Sequence, residues 1–185
     1  MKPENKGGFG HIFTVQKVHS FSNKTYSVKR ISKHLIDGPN QFAYLENEIT
    51  ALRLVRHQNS LRLYEVLEDR GYVYLVTEYV NGGTLQDCLT KQTFFSEREV
   101  YLIAEQLFSV VLHFNQFNIV HWDIKPNNIM FKIREGKKIL KLIDYGLCAD
   151  FTDHSSNSLL RDKSGTACYI APEIIGFDLT HKFYD

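Results

Sequence analysis

The run Asn81-Gly82-Gly83 constrains the fold more than any other feature, because the periodicity of apolar residues changes across it. Before the break the pattern is β-rich with one helix. Ile12 to Val15 and Tyr26 to Ile31 read as strands on either side of the polar turn Ser20 to Lys24. Phe42, Leu45, Ile49 and Leu52 recur at helical spacing and predict a helix from about Asn40 to Arg56. Leu61 to Leu67 and Tyr72 to Thr77 predict a hairpin around Glu68 to Gly71. After the break the pattern turns helical. Ser96 and Glu99 make a capping box, each able to satisfy a backbone N–H that the helix start leaves open. The stripe Val100, Ile103, Leu107, Val110, Val111, Phe114 and Phe117 follows on one face of a long helix. Two short strands, Met130 to Ile133 and Ile139 to Ile143, come next, joined through Arg134 to Lys138. Asp144 to Pro172 is polar and loop-like, and a loop that long inside a compact domain is usually functional. The sum is an α+β chain.

Composition removes several function classes. The 185 residues suffice for one sizeable domain or two small lobes. A 43% hydrophobic and 13% aromatic content excludes disorder as the dominant state. With 22 Lys and Arg against 21 Asp and Glu, the net charge is +1, so a nucleic-acid polymer is not an expected partner. The longest uncharged stretch, Gln106 to Trp122, is interrupted by Gln106, His113, Asn115, Gln116 and Asn118, and predicts no membrane span. No apolar run follows Met1-Lys2-Pro3-Glu4-Asn5, so no signal peptide is expected. Cys88, Cys148 and Cys168 are odd in number and match no CxxC or zinc pattern. They read as free thiols, which suits a cytoplasmic protein, with the nucleus as the other reducing compartment.

Three segments carry chemistry. His121-Trp122-Asp123-Ile124-Lys125-Pro126-Asn127-Asn128-Ile129 lies between the long helix and a strand. There an Asp can accept a proton, a Lys can neutralise a phosphate and an Asn oxygen can ligate a hard cation. Asp144-Tyr145-Gly146 follows an apolar strand, a good position for a Mg²⁺-binding carboxylate, although Asp and Gly also make ordinary turns. Gly7-Gly8-Phe9-Gly10-His11-Ile12 is a Gly-rich turn whose backbone N–H groups could approach phosphates, or else a flexible tail. Lys29 ends an apolar strand, and Glu48, 19 residues later on the predicted helix, is its candidate partner.

In this order, these segments resemble a eukaryotic-type protein kinase. The resemblance implies a two-lobed fold. Residues 1–80 would form a small lobe with an antiparallel sheet and one helix, and 81–185 part of a mainly helical large lobe. Gly7, Gly8, Phe9, Gly10 and Ile12 then correspond to the glycine-rich loop over ATP, and Ser27 to the small residue above adenine. Lys29 would hold the nucleotide phosphates with Glu48 as its helix partner. Glu78-Tyr79-Val80 resembles the adenine-binding hinge, Thr77 the gatekeeper beside it, and Met130 a residue of the same pocket. Asp123 would accept the substrate proton, Lys125 would steady the γ-phosphate, and Asn128 and Asp144 would hold Mg²⁺. His121, Tyr145, Leu52 and Leu63 occupy positions of a stacked regulatory column. Gly165-Thr166 through Ala171-Pro172-Glu173 resembles the end of the activation segment. Lys125 and Gly165-Thr166 follow the serine/threonine pattern. Leu63-Tyr64-Glu65-Val66 and the stretch from Gly165 to Glu173 are similar to the calcium/calmodulin-dependent group. The implied partner is a protein with a Ser or Thr acceptor; a regulatory partner is not identifiable.

Departures matter too. Asn5 stands at the first glycine position, Ser27 where Ala is usual, and Tyr145 for Phe. Trp122 replaces the Arg that, in many relatives, pairs with a phosphate on the activation loop; an indole cannot make that ion pair. Switching through Ser155, Ser156, Ser158 or Ser164 is therefore not implied. The chain starts close to the glycine segment, so most of the preceding strand is expected to be missing. It stops at Asp185, which resembles the aspartate opening the central helix of the large lobe, so apolar surface on the Val100–Phe117 helix should lack part of its cover. Two readings result: an ATP-dependent serine/threonine kinase, and a non-catalytic nucleotide-binding or scaffolding module derived from one.

Overall fold

A computed structural model of the chain describes residues 3–7, 10–17, 24–36, 38–91, 94–150, 165–166 and 168–171. The first half forms one antiparallel sheet from β1 (Pro3–Gly7), β2 (Gly10–Gln16), β3 (Thr25–Ser32), β4 (Leu63–Glu68) and β5 (Tyr72–Glu78), in the order β1-β2-β3-β5-β4. A strand thus precedes the glycine segment where the sequence predicts most of one to be missing. Gly7 pairs with Gly10, which closes the β1–β2 hairpin over two residues. The register fixes what the cleft side of the sheet carries. Lys29 lies opposite Ile12 on one side and Leu75 on the other, while Ser27 lies opposite Thr77. Since side chains alternate along a strand, these residues share one face.

Helix α1 (Pro39–Leu54) follows β3 after a single 3₁₀ turn, Lys33–Leu35. It begins with Pro in its first turn, where the missing N–H costs nothing. Glu48, Ala51 and Leu52 are buried, with Leu45 and Ile49 packed against the core. Phe42, part of the predicted stripe, stands 57% exposed in the first turn of the helix.

The Asn81-Gly82-Gly83 break is pinned rather than loose. Gly82 N–H donates to Phe131 O at 2.6 Å, Phe131 N–H to Gly83 O at 2.9 Å, and Ile133 N–H to the Asn81 side chain at 2.9 Å. Beyond it come α2 (Leu85–Lys91), α3 (Glu97–Asn115), β6 (Ile119–Val120), a 3₁₀ turn (Pro126–Asn128), β7 (Ile129–Arg134), β8 (Lys137–Leu142) and β9 (Ala149–Asp150). The capping box on α3 forms in both directions, Ser96 with Glu99. The polar stretch after Asp144 is not wholly loop, because β9 pairs with β6. The α+β, two-lobed arrangement is what the chain adopts.

One apolar core runs through both halves, from Ile31 and Leu75 in the sheet to Val110, Phe114, Leu140 and Leu142 beyond the break. Full burial of such a side chain contributes about 1.5–3 kcal/mol. Helix α3 turns most of its stripe to this core: Val110 and Phe114 are buried, and Ile103, Leu107 and Phe117 pack against it. Val100 of the stripe is exposed, as are Tyr101, Phe108 and Leu112 outside it.

A Cβ at Gly82 would be driven into the Phe131 carbonyl, whereas one at Gly136 meets nothing within 4 Å. Gly82→Ala should cost about 1–3 kcal/mol through steric displacement. Gly136→Ala should cost only about 1 kcal/mol, for its positive φ. Urea unfolding midpoints of the two variants test this ranking.

Candidate functional site

The cleft between the sheet and the segment after the break has a volume of about 400 Å³. Its roof carries Ile12, Ser27 and Lys29; Thr77, Glu78 and Val80 form one wall; Asp123, Asn128, Met130 and Asp144 come from the far side, with Glu48 at the back. Lys29 Nζ donates to Glu48 Oε1 at 2.6 Å and stands 3.9 Å from Asp144 Oδ1. The two carboxylates differ in environment. The Glu48 side chain is 8% exposed and committed to Lys29, while that of Asp144 is 51% exposed and open to the cleft. Asp144 adopts φ 63°, a left-handed conformation uncommon for a non-glycine residue, and Trp122 adopts φ 62°.

The loop after β6 builds a tight polar network. Asp123 Oδ2 accepts from Lys125 Nζ at 2.6 Å and from Asn128 Nδ2 at 2.8 Å, while Oδ1 accepts from Thr166 Oγ1 at 2.8 Å. Lys125 Nζ also donates to Thr166 Oγ1 at 2.6 Å. Burial alone would raise the Asp123 pKa, but hydrogen bonds from Lys125, Thr166 and Asn128 outweigh it and hold the carboxyl below the usual aspartate range. Asn128 spends its amide nitrogen on Asp123, on both the backbone and the side-chain oxygen. Its amide oxygen is left as an acceptor.

His121 positions this loop. Its Nδ1 accepts from Asp123 N–H at 3.3 Å, and its Nε2–H donates to Ile143 O at 3.1 Å. Burial pushes the imidazole below the usual histidine range, so the ring is neutral and structural. Its ring lies 5.5 Å from Tyr145, which in turn stacks on Phe114 at 5.3 Å. Tyr145 is fully buried, burial pushes its hydroxyl pKa up, and its oxygen accepts from Leu61 N–H.

The cleft thus gathers Ile12, Ser27, Lys29, Glu48, Thr77, Glu78, Val80, Asp123, Asn128, Met130 and Asp144. Lys125 stands behind Asp123 rather than in the cleft lining. Gly7 and Gly10 are paired in the β1–β2 hairpin. Gly8 and Phe9, the four serines Ser155, Ser156, Ser158 and Ser164, and Pro172, Glu173 and Asp185 lie outside the described residues. Glu78 holds a surprise: its carboxylate turns away from the cleft and is gripped by Lys132 at 2.5 Å and Lys141 at 2.6 Å. Glu78 N–H donates to Arg62 O, so only its carbonyl can face a ligand in the cleft. Leu61, Leu75 and Leu147 also line the cleft, and Thr166 joins the network. Alternation along β5 marks Leu75; Thr166 is marked only by the resemblance of Gly165-Thr166 to the serine/threonine pattern, and nothing in the spacing joins it to Asp123, 43 residues away.

A family model described as protein kinase domain matches residues 4–185. The chain belongs to the protein kinase family. This kinase chain is 34% identical over 181 residues to calcium-dependent protein kinase 4 of Plasmodium berghei, covering 97% of itself and 32% of that protein. It is 35% identical over 170 residues to calcium-dependent protein kinase 5 of the same organism, covering 92% and 29%. Against CBL-interacting protein kinase 15 of Oryza sativa subsp. japonica it is 33% identical over 176 residues, covering 94% and 39%. The kinase chain therefore spans about a third of the length of these relatives. Its likeness to them supports a serine/threonine kinase of the calcium/calmodulin-dependent group, the group its motifs resemble.

A carboxyl whose folded-state pKa is depressed stabilises the fold above its unfolded pKa, about 3.9, and loses that contribution as pH falls through the folded value. The stability difference between the kinase chain and Asp123→Asn should be constant near neutrality and shrink below about pH 4. Urea unfolding at stepped pH measures it. A difference unchanged down to the acid limit would remove the charge-assisted network as its source.

Proposed function

We propose that the chain is the catalytic segment of an ATP-dependent serine/threonine protein kinase. The observation that carries this reading is the convergence of Lys29, Asp123, Asn128 and Asp144 on one cleft. Phosphoryl transfer needs positioning and charge neutralisation more than covalent chemistry by the protein. Asp123 would receive the proton of the acceptor hydroxyl as its oxygen bonds to the γ-phosphorus and the bond to ADP breaks. Lys125 would neutralise charge on the γ-phosphate from beside Asp123. Lys29, fixed by Glu48, would hold the inner phosphates. The Glu78 carbonyl and Val80 N–H would meet the adenine edge.

The donor set suits Mg²⁺. Magnesium is usually bound by one or two protein oxygens together with substrate phosphates. The open Asp144 carboxylate and the Asn128 amide oxygen are such a pair. Among the described residues no cluster of three or more His, Cys, Asp or Glu could hold a metal without the nucleotide. When bound, the ion would neutralise charge on the transferring group. Trp122 offers no cation to a phosphorylated loop, which supports activity independent of phosphorylation there. The free thiols of Cys88, Cys148 and Cys168 suit a reducing cytoplasm or nucleus.

Mg·ATP at about a hundredfold over its Kd should stabilise the chain by about 2.7 kcal/mol. Asp144→Ala should abolish this melting shift, and Asp123→Asn should keep it. Transfer of labelled γ-phosphate to a mixture of Ser/Thr peptides should fall about 10²–10⁴-fold in Asp123→Asn. Undiminished transfer in that variant would refute the role of Asp123. Nucleotide binding with no transfer by a longer chain that completes the large lobe would refute the enzyme and leave a nucleotide-binding scaffold.

A further inference from the structure

Behind the hinge, on the opposite side of Glu78 from the cleft, lies a second and larger groove of about 900 Å³. Its walls come from the end of α1, the segment after it, β4 and the β7–β8 hairpin. The charge there is unlike the chain as a whole. Arg53, Arg56, Arg62, Lys132, Arg134 and Lys141 line it against two carboxylates, Glu65 and Glu78, although the whole chain carries a net charge of only +1. Glu78 is committed to Lys132 and Lys141. Among the described residues no carboxylate pairs with Arg53, Arg56 or Arg62. Guanidinium groups present planar forks matched to carboxylates.

Two further features narrow the occupant. Leu63 and Ile139, both partly exposed, give the groove apolar contact surface between its cations. More decisively, Arg62, Leu63, Tyr64, Glu65 and Val66 all line it consecutively. Successive residues of a strand point to opposite faces, so a groove touched by all four from Leu63 to Val66 lies along the strand's edge. That strand, β4, is the last in the sheet order and pairs only with β5. Its outer edge offers a row of N–H and C=O groups to another extended chain.

We propose that this groove docks an extended acidic peptide segment of a partner protein. The segment adds to the sheet along β4 and places its carboxylates on Arg53, Arg56 and Arg62. A polynucleotide could answer the charge but not the strand edge, and a bilayer surface could not enter a concave groove. The inference does not rest on the proposed phosphoryl transfer.

Fluorescence anisotropy of the full chain with a labelled peptide alternating Glu and Val tests the proposal. Saturable binding is expected, weakened about tenfold or more by Arg53→Glu or Arg62→Glu and by raised salt. Proline at alternate peptide positions, which removes N–H donors, should abolish it. A peptide with Lys for Glu should not bind. Unfolding midpoints of the variants verify their folding, and comparisons among peptides on the unaltered chain decide the matter without them. The proposal is overturned by absence of binding, by equal binding of the Lys or proline peptides, or by arginine variants that fold and bind unchanged. Tighter binding of oligouridylate or phosphatidylserine vesicles than of the acidic peptide also overturns it.

Discussion

The 2.6 Å contact between Lys29 and Glu48 ties the sheet to the helix that covers it, and the cleft takes its shape from that tie. Both groups are largely withdrawn from water, so each depends on the other; removing one member of a buried pair typically costs about 3–5 kcal/mol. The strand register sets where Lys29 emerges, between Ile12 and Leu75, and the packing of Leu45, Ile49 and Leu52 sets where α1 presents Glu48. Asp144 enters from beyond the break as a second carboxylate near the same ammonium. One cation facing two anions leaves the spot short of positive charge, which explains why Asp144, the more exposed of the two, is the one free to take another cation.

The halves of the molecule are joined by more than the hinge. The segment after α1 folds onto β8: Leu61 N–H donates to Leu142 O, Leu142 N–H to Asn59 O, and the Asn59 amide reaches Leu140 O and Gln106. Ser60 Oγ closes back on Val55 O. Tyr145 adds its hydroxyl to this seam from below while its ring sits against His121 and Phe114. A buried amide or hydroxyl left without partners costs about 1–3 kcal/mol. Every contact in the seam therefore enforces its neighbours, and the loop that carries Asp123 inherits its position from a neutral histidine held at both nitrogens.

Much of this was legible in the residues. Alternation marked β2, β3, β5, β7 and β8, and the Ser96–Glu99 pair marked the start of α3 to the residue. The residues of the loop after β6 stood out because Asp123, Lys125 and Asn128 are polar groups crowded between apolar elements. What escaped notice did so for physical reasons. Pro3-Glu4-Asn5-Lys6-Gly7 has no apolar residue, so its strand, held by backbone pairing with β2, leaves no hydrophobic pattern. Helix α2 is two turns long and buries no residue fully, and β6 and β9 are two residues each, too short for any period to show. Phe42 fits the helical spacing yet faces water, because spacing gives the helix and not what its first turn packs against. The outward turn of the Glu78 side chain and the left-handed backbone at Asp144 are set by neighbours distant in sequence.

Glu78 belongs to two surfaces at once. Its main chain borders the cleft, its carboxylate forms part of the basic groove, and Lys132 and Lys141 hold the two together. Such a shared wall makes the two spaces thermodynamic correspondents. A carboxylate that reached Lys132 or Lys141 from the groove would compete with Glu78 for them. Whatever free energy that competition imposes on the hinge is felt, with equal magnitude and by necessity, as a change in groove affinity when the cleft is filled. A single side chain pointing backwards thus links the cleft to the groove.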